Sequence, residues 1–567
     1  MLFDELKDIQ REFGYLPPAK LNDLAARKQI PLHRVHEVAS FYPFFHLEPQ
    51  PRVTVGVCGD LVCHMRGSGK LFSHLKQRFP PGGPGIVVGE ISCPGRCDTA
   101  PAISINGVIV SPVEAHDAEN LVALALSGVP RPRLPEEIPG VQLASDPYAG
   151  REPYGALRRI VTSKSTDSIT RDLKAAGLGG MGGAGFPAYV KWETVRDAPD
   201  TPKYVVCNAD ESEPGTIKDR FILNHLPHLV IEGMILAALV TGANQGYIYI
   251  RHEYEHQAKV LEAELARCRR DNLLGHSILN GGAAFDIELF VSPGGYICGE
   301  GSALLEALEG KRAEPRNRPP NSAIHGLWQK PTVLNNVETF AIVPQILEMG
   351  VDWYRAQGRN GASGLKFVAV TGDVRLPGVF EIPMGTRASD VIMNLAGGPL
   401  PGSQVKAFAP SGAAAGFLPA SMMDVALDLK SMAAAGSMLG SCAIVVVSEE
   451  RCMLDMALNA VKFFRNESCG KCAPCRIGSQ KLVDLLTGWT KGVTSASDRH
   501  LIGELSETLK LTSICGLGQF IPYPIQTVLR YFSDEVNAHI VEKRCPAGVC
   551  PMRRSSSYSP PTRRQDT

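Results

Sequence analysis

The chain has no net charge, because 58 lysines and arginines balance 58 aspartates and glutamates. This balance removes any general electrostatic case for nucleic acid or an anionic membrane surface as partner. Long apolar runs are also missing. The longest, LVIEGMILAALVTGA from Leu229, is interrupted by Glu232 and falls short of the roughly 20 residues that span a bilayer, so it reads as a buried helix. The opening MLFDELKDIQREFGY is charged and amphipathic and has no apolar signal segment. A cytoplasmic protein is therefore expected, in which the fifteen cysteines are not a disulfide framework. No internal repeat is evident.

With 567 residues the chain exceeds one ordinary core, and about 100–200 residues per domain implies three to five domains. Residues 1 to about 50 have helical periodicity, broken at LPPAK and again where Pro31 suits the first turn of a new helix. From Pro51, RVTVGVCGD, GKLFSHLKQRF, GIVVGEISC and AISINGVIV read as strand, helix, strand, strand, which suggests a thioredoxin-like sandwich. The expected organisation is multidomain α/β. Residues 1–140 hold the helices and this sandwich, and a proline-bearing link, VPRPRLPEEIPG, leads to an α/β domain over 141–350. A domain resembling a β-grasp covers 365–446, and a helical bundle covers 447–540. Residues 541–567 form a tail, ending in the polar RRSSSYSPPTRRQDT, that is expected to be disordered.

Cysteine is the strongest signal. Cys469, Cys472 and Cys475 in ESCGKCAPCRIG are spaced C-x2-C-x2-C, and Cys515 in TSICGLGQF supplies a distant fourth thiol. That set suits a [4Fe-4S] cluster better than zinc, whose fingers usually present ligands as two separated pairs. Cys58 and Cys63, with Cys93 and Cys97, place two thiols on each of two loops, as a [2Fe-2S] rhomb requires. Cys207, Cys268, Cys298, Cys442 and Cys452 are isolated and read as packing thiols. Cys545 and Cys550 in RCPAGVC make half a site without partners, and no metal is expected there.

GLGGMGGAGFP contains Gly180, Gly182 and Gly185 as G-x-G-x-x-G, but helical periodicity precedes it, so it is not a Rossmann strand-turn-helix. A run so rich in glycine lets backbone N–H groups approach a phosphate or a flat ring. YVVCNADESEPGTIKDR reads as a strand ending in Asn208, Asp210, Glu211 and Glu213, where ligands sit in open α/β sheets; a merely solvated acidic loop is the alternative. GGYICGEGSALLEALEGKR and KPTVLNNVETF add Glu300, Asn335 and Asn336.

GGAGFP, CNADESEPGT, YICGE with its following LEGKR, PTVLNNVET and SCGKC with its following PCR occur in this order. Together they resemble the NADH-binding flavoprotein subunit of respiratory complex I and its relatives over about residues 150–540. The first 140 residues resemble its thioredoxin-like [2Fe-2S] partner. The resemblance implies FMN, NAD, a [2Fe-2S] and a [4Fe-4S] cluster, with hydride exchanged between nicotinamide and FMN and single electrons passed to the clusters. It assigns Gly180, Gly182, Gly183 and Gly185 to the flavin-phosphate loop, with Lys191 nearby. Asn208, Asp210, Glu211, Tyr296, Gly299, Glu300, Asn335, Asn336 and Thr339 would line the flavin, and the acidic strip would favour its oxidised form. Phe186 and Glu213 would meet the dinucleotide. No catalytic acid or base is implied. Gly179 and Met181 replace arginines usual in the family, Gly301 replaces a frequent second glutamate, and RPPNSA lacks an aromatic usual after the prolines.

Fusion of the two parts resembles soluble NAD-dependent formate dehydrogenases and NAD-reducing hydrogenases. No further ferredoxin cysteines follow CPAGVC, as they do in some bifurcating hydrogenases, so the diaphorase subunit of a formate dehydrogenase is preferred. Its partner would be a catalytic subunit with a molybdenum or tungsten cofactor and further iron–sulfur clusters. A hydrogenase diaphorase subunit, and an iron–sulfur electron carrier or scaffold with a vestigial nucleotide site, are the alternatives.

Overall fold

The computed structural model describes residues 2–80, 85–128 and 143–552. The proline-bearing link and the polar end of the tail lie outside the described residues. Three helices open the chain, Leu2–Phe13, Pro18–Lys28 and Leu32–Phe41. Phe3, Leu6 and Ile9 form a buried stripe at helical spacing, and Phe3 meets Tyr42 and Phe290 edge-on at 5.0 and 5.9 Å. Pro18 is in the first turn of its helix, whereas Pro31, expected inside a first turn, is the residue just before Leu32.

Strands β1 (Val53–Cys58), β2 (Ile86–Ile91), β3 (Ile103–Ile105) and β4 (Val108–Val110) form a sheet in the order β2-β1-β3-β4. β1 and β2 are parallel, with Cys58 opposite Ile91, so the loops that follow them leave from the same edge. Helix Ala115–Leu126, not foreseen in the strand-helix-strand-strand reading, buries Ala118 and Val122 beside this sheet.

Strands β5 (Tyr204–Ala209), β6 (Gln245–Arg251), β7 (Asp286–Ser292) and β8 (Thr332–Asn336) form a parallel sheet in the order β7-β6-β5-β8. Helix Pro227–Thr241, which holds the long apolar run, is buried nearly all round. Its Gly233 lies so close to Phe340 that a Cβ would come within 2.1 Å of the Phe340 carbonyl oxygen. Among the described residues no single helix is long and apolar enough to cross a membrane.

The third sheet contains β9 (Leu365–Gly372), β10 (Gly378–Pro383), β11 (Val405–Ala413), β12 (Leu418–Pro419) and β13 (Ala443–Ser448), in the order β10-β9-β13-β11-β12. Helices Met453–Asn466, Ser479–Thr490, Asp498–Thr512, Tyr523–Tyr531 and Ser533–Ile540 follow. Residues 541–552, at the head of the expected tail, continue as a turn in which Cys545 is buried.

Candidate flavin and cluster site

β5 and β8 run parallel with Asn208 opposite Asn336, so both strands deliver polar side chains to the same sheet edge. Asn208 Nδ2 donates to the Gly299 carbonyl at 2.9 Å, and Asn336 Nδ2 donates to Asp219 at 2.6 Å. Glu300 caps the helix Gly301–Leu308, accepting from Ser302 N and Ala303 N at 3.0 and 2.9 Å, while its other oxygen pairs with Arg318. At Gly301 an added Cβ would come within 2.8 Å of the tip of the Leu334 side chain, which would have to shift.

The glycine loop lies between helices Thr166–Ala176 and Ala188–Asp197, as the periodicity indicates. Gly180 N donates to Phe186 O at 2.9 Å, and Met181 N donates to the buried Thr339 hydroxyl at 2.9 Å. Met181, where the family has arginine, is buried against apolar neighbours. Gly182 faces Asn336, whose Cβ would be 3.0 Å from an added Cβ. The loop thus keeps a side-chain-free wall on the cavity.

That cavity measures about 220 Å³ and is lined by Gly182, Asn208, Asp210, Glu211, Glu213, Tyr296, Gly299, Glu300 and Asn336. Sequence reasoning missed Lys218, Asp219, Ser441 and Phe520 in its wall. Of the expected residues, Lys191 turns away from it: its Nζ donates to Leu334 O and Asn335 Oδ1, and burial pushes its pKa down to about 8. Asn335 and Thr339 are buried behind the wall. Phe186 is the opposite case, 52% exposed on the glycine loop.

Burial dominates the electrostatics. It pushes Asp210 and Glu213 up to about 8, and, joined by repulsion from Asp219, pushes Glu211 up to about 7. Glu211 is also tied down, accepting from Asp219 N, Arg220 N and the Tyr254 hydroxyl at 2.8, 3.1 and 2.9 Å. The acidic strip is therefore not a solvated loop, and its full negative field exists only above about pH 8. Because these folded-state values lie above the unfolded ones, the stability they contribute is present at acid pH and lost as pH rises through about 7 to 8. Ionisation also repels anionic ligands: at an effective dielectric of about 20, a unit charge about 8 Å away is worth about 2 kcal/mol before screening. The apparent KM for NADH in a ferricyanide assay is expected to rise roughly tenfold from pH 6 to pH 9. Glu213→Gln should flatten that rise, and an equal slope in the variant would contradict the assignment.

The two cysteine quartets flank this cavity. Cys58, Cys63, Cys93 and Cys97 are all buried, with Cys93 and Cys97 sulfurs 3.4 Å apart. Gly215 N, in the turn after the acidic strip, donates to Cys97 Sγ at 3.2 Å. Arg251 bridges the same two loops, donating to Glu211 O at 2.5 Å and to Cys93 O at 2.7 Å, and Arg220 donates to Gly95 O at 2.6 Å. On the other side, Cys469, Cys472, Cys475 and Cys515 converge on one small pocket. That pocket shares Ile297 and Leu517 with the wall of the larger cavity. Helix Met453–Asn466 joins both regions, placing Asp455 2.7 Å from His64 and packing Phe463 5.1 Å from Tyr296.

The cavity suits a flat polyfunctional ring. Its wall combines glycine backbone with amide and carboxyl groups, and the buried Asp210 Oδ1 and Asn335 Nδ2 have no hydrogen-bond partner in the protein. Each quartet supplies the four thiols an iron–sulfur cluster needs.

Comparison with known proteins agrees with this geometry. Residues 1–125 match a thioredoxin-like [2Fe-2S] ferredoxin, and residues 173–345 the Nuo51 FMN-binding domain. Residues 367–417 match an SLBB domain, and residues 455–539 the iron–sulfur binding region of NADH-ubiquinone oxidoreductase-F. An NADH-quinone oxidoreductase subunit of Rhizobium meliloti is 42% identical over 410 residues, which is 72% of this chain and 97% of that one. The chain belongs to the complex I flavoprotein family, whose members carry the Nuo51 FMN-binding domain. Within the family, it carries the thioredoxin-like unit in the same polypeptide. The NAD-reducing hydrogenase HoxS subunit alpha of Cupriavidus necator is 33% identical over 574 aligned positions, covering 96% of this chain and 93% of that one. A solved NAD+-reducing [NiFe]-hydrogenase in the H2-reduced state superposes with a TM-score of 0.85 at 30% identity, over 94% of this chain and 92% of that one. The family assignment makes the chain an NADH-binding, FMN- and iron–sulfur-containing oxidoreductase subunit of diaphorase type.

Proposed function

We propose that this chain is the diaphorase subunit of a soluble NAD-dependent formate dehydrogenase, exchanging electrons with a separate formate-oxidising subunit that carries molybdenum or tungsten and further iron–sulfur clusters. When bound, FMN supplies the exchange between two-electron hydride chemistry and one-electron transfer. The chain's own residues bind, orient and exclude water. Gly182, Gly183 and Gly185 offer backbone N–H groups to phosphate, while Gly180 closes the loop through its bond to Phe186 O; Asn208, Asp210, Glu211, Tyr296, Gly299, Glu300 and Asn336 hold the ring, with Asn335 and Thr339 supporting them. Lys191 acts indirectly, by fixing Asn335. Phe186 stacks on the dinucleotide and Glu213 orients it. Cys58, Cys63, Cys93 and Cys97 hold the [2Fe-2S] cluster, and Cys469, Cys472, Cys475 and Cys515 the [4Fe-4S] cluster.

The observation that carries the reading is the contact of both cysteine sets with the cavity wall, through Gly215 N on Cys97 and through Ile297 and Leu517. The formate-oxidising partner rests on the fusion of the two units in one chain. A specific observation supports a second partner, a hydrogenase: a relative aligned over 96% of this chain is an NAD-reducing hydrogenase subunit. None of the fifteen cysteines, all among the described residues, is in a disulfide, which supports a cytoplasmic location.

Purification of the native complex tests the partner. Formate-dependent NAD+ reduction, with molybdenum or tungsten in the co-purifying subunit, is expected; hydrogen-dependent reduction with nickel would replace it by the second reading. The cluster assignment has its own test. Cys93→Ser should abolish the dithionite-reduced [2Fe-2S] signal in low-temperature electron paramagnetic resonance and leave the [4Fe-4S] signal intact. Loss of both from a folded chain would show that the ligands are not divided this way.

A further inference from the structure

We propose that Cys452, His539, Cys545 and Cys550 form a structural zinc site. Cys452 reads as an isolated packing thiol in the sequence and Cys545 with Cys550 as half a site, yet folding joins all three around a histidine. Among the described residues, this is the one group of three or more metal-ligating side chains whose ligand atoms all lie within 4.8 Å of one another. Cys452 Sγ is 3.4 Å from His539 Nε2 and 3.5 Å from Cys550 Sγ. Tetrahedral zinc, with Zn–S about 2.3 Å and Zn–N about 2.0–2.1 Å, requires neighbouring ligand atoms roughly 3.5–3.8 Å apart. A cluster would place at least two of the four ligands on different irons and spread them further than the 4.8 Å that encloses all four here, so the spacing selects a single ion.

The local structure prepares each ligand. Cys452 directly precedes helix Met453–Asn466, His539 is on helix Ser533–Ile540, and both side chains are fully buried. His539 Nδ1 donates to Glu535 O at 2.8 Å, which leaves the Nε2 lone pair facing Cys452. Gly548, at φ 68°, lets the chain turn between Cys545 and Cys550, with Gly548 N donating to Cys545 O at 3.0 Å. Three soft thiolates and one imidazole suit zinc, and four protein ligands leave no open position for water, so the role is structural.

The site fastens residues 541–552 to the start of helix Met453–Asn466. That helix reaches the [2Fe-2S] unit through Asp455, paired with His64, and through Asn459, which donates to Gly59 O at 2.8 Å; it reaches the cavity through Phe463. The anchor therefore holds the element on which both neighbours pack.

Elemental analysis of the purified full-length chain should find about one zinc per chain beside the cluster iron. Zinc-edge X-ray absorption should fit three sulfurs at about 2.3 Å and one nitrogen at about 2.0–2.1 Å. The double variant Cys545→Ser/Cys550→Ser should lose the zinc and keep its FMN, its iron and both paramagnetic signals. Absorption on the unaltered protein decides the matter even if that variant fails to fold. Absence of zinc with Cys452, Cys545 and Cys550 alkylated in the native protein, iron bound in its place, or zinc retained by the double variant would each overturn the proposal.

Discussion

Glu338→Ala is expected to destabilise the flavin-binding region by about 3–5 kcal/mol, the usual cost of removing one partner from a buried ion pair. Glu338 is fully buried, pairs with Lys366, lies 3.1 Å from Lys218 Nζ and accepts from Phe367 N at 2.9 Å. Both lysines are also buried; Lys218 keeps its pair with Asp219, so the change strands the Lys366 cation. Burial alone would raise the Glu338 pKa, but Lys366 and Lys218 outweigh it and hold the carboxyl below its ordinary value. Its contribution is therefore present at neutral pH and lost as pH falls through that lowered value. The effect reaches the cavity because Lys218 also bonds Asn336 at 3.0 Å, and Lys366 Nζ faces Met181 O in the glycine loop at 3.4 Å. Urea titration followed by flavin release should show a midpoint far below that of the unaltered chain. A shift equivalent to less than about 0.5 kcal/mol, the range of ordinary surface substitutions, would show that the network does not support the loop.

Phe186→Ala is the second large effect. The side chain stands exposed on the glycine loop, next to Gly185. Stacking a base on an aromatic ring is worth about 1–3 kcal/mol in nucleic-acid systems. A loss of that size raises the apparent KM for NADH roughly 5- to 150-fold in a ferricyanide assay, at about 1.4 kcal/mol per tenfold. Phe186 lines neither the flavin cavity nor the pocket of the second cysteine quartet, so FMN and iron contents should be unchanged. An unchanged KM at full flavin occupancy would mean that the dinucleotide binds elsewhere.

What the amino-acid sequence reveals of this site follows from how locally each part is encoded. Cys469, Cys472 and Cys475 share one loop, and the acidic strip sits at the end of one apolar strand, so short-range spacing exposes both. The glycine loop is equally local, and its helical flanks correctly separate it from a Rossmann turn. Long-range convergence is not legible in this way. Glu338 stands two residues after Asn336 in a stretch already marked as functional, but its partner Lys366 comes from the next domain, and no periodicity connects them. Arg251 ends an unremarkable strand and Arg220 closes the acidic stretch without drawing notice there, and their role in clasping the Cys93 loop appears only when the first sheet is docked on the second. Lys191 shows the converse: its position in the motif suggested phosphate, but packing directs its ammonium inward onto Leu334 and Asn335. Cys452 is 87 residues from His539, a separation at which only the packing of helices Met453–Asn466 and Ser533–Ile540 can make them neighbours.

Anaerobic titration of the isolated chain with NADH tests the central claim most directly, because it needs neither formate nor hydrogen nor the partner subunit. One FMN per chain, with no FAD, is expected, bleached by NADH as the [4Fe-4S] signal appears in electron paramagnetic resonance. A chain that carries both clusters but no FMN, or whose flavin stays oxidised in excess NADH, would contradict the diaphorase assignment and leave an iron–sulfur carrier in its place.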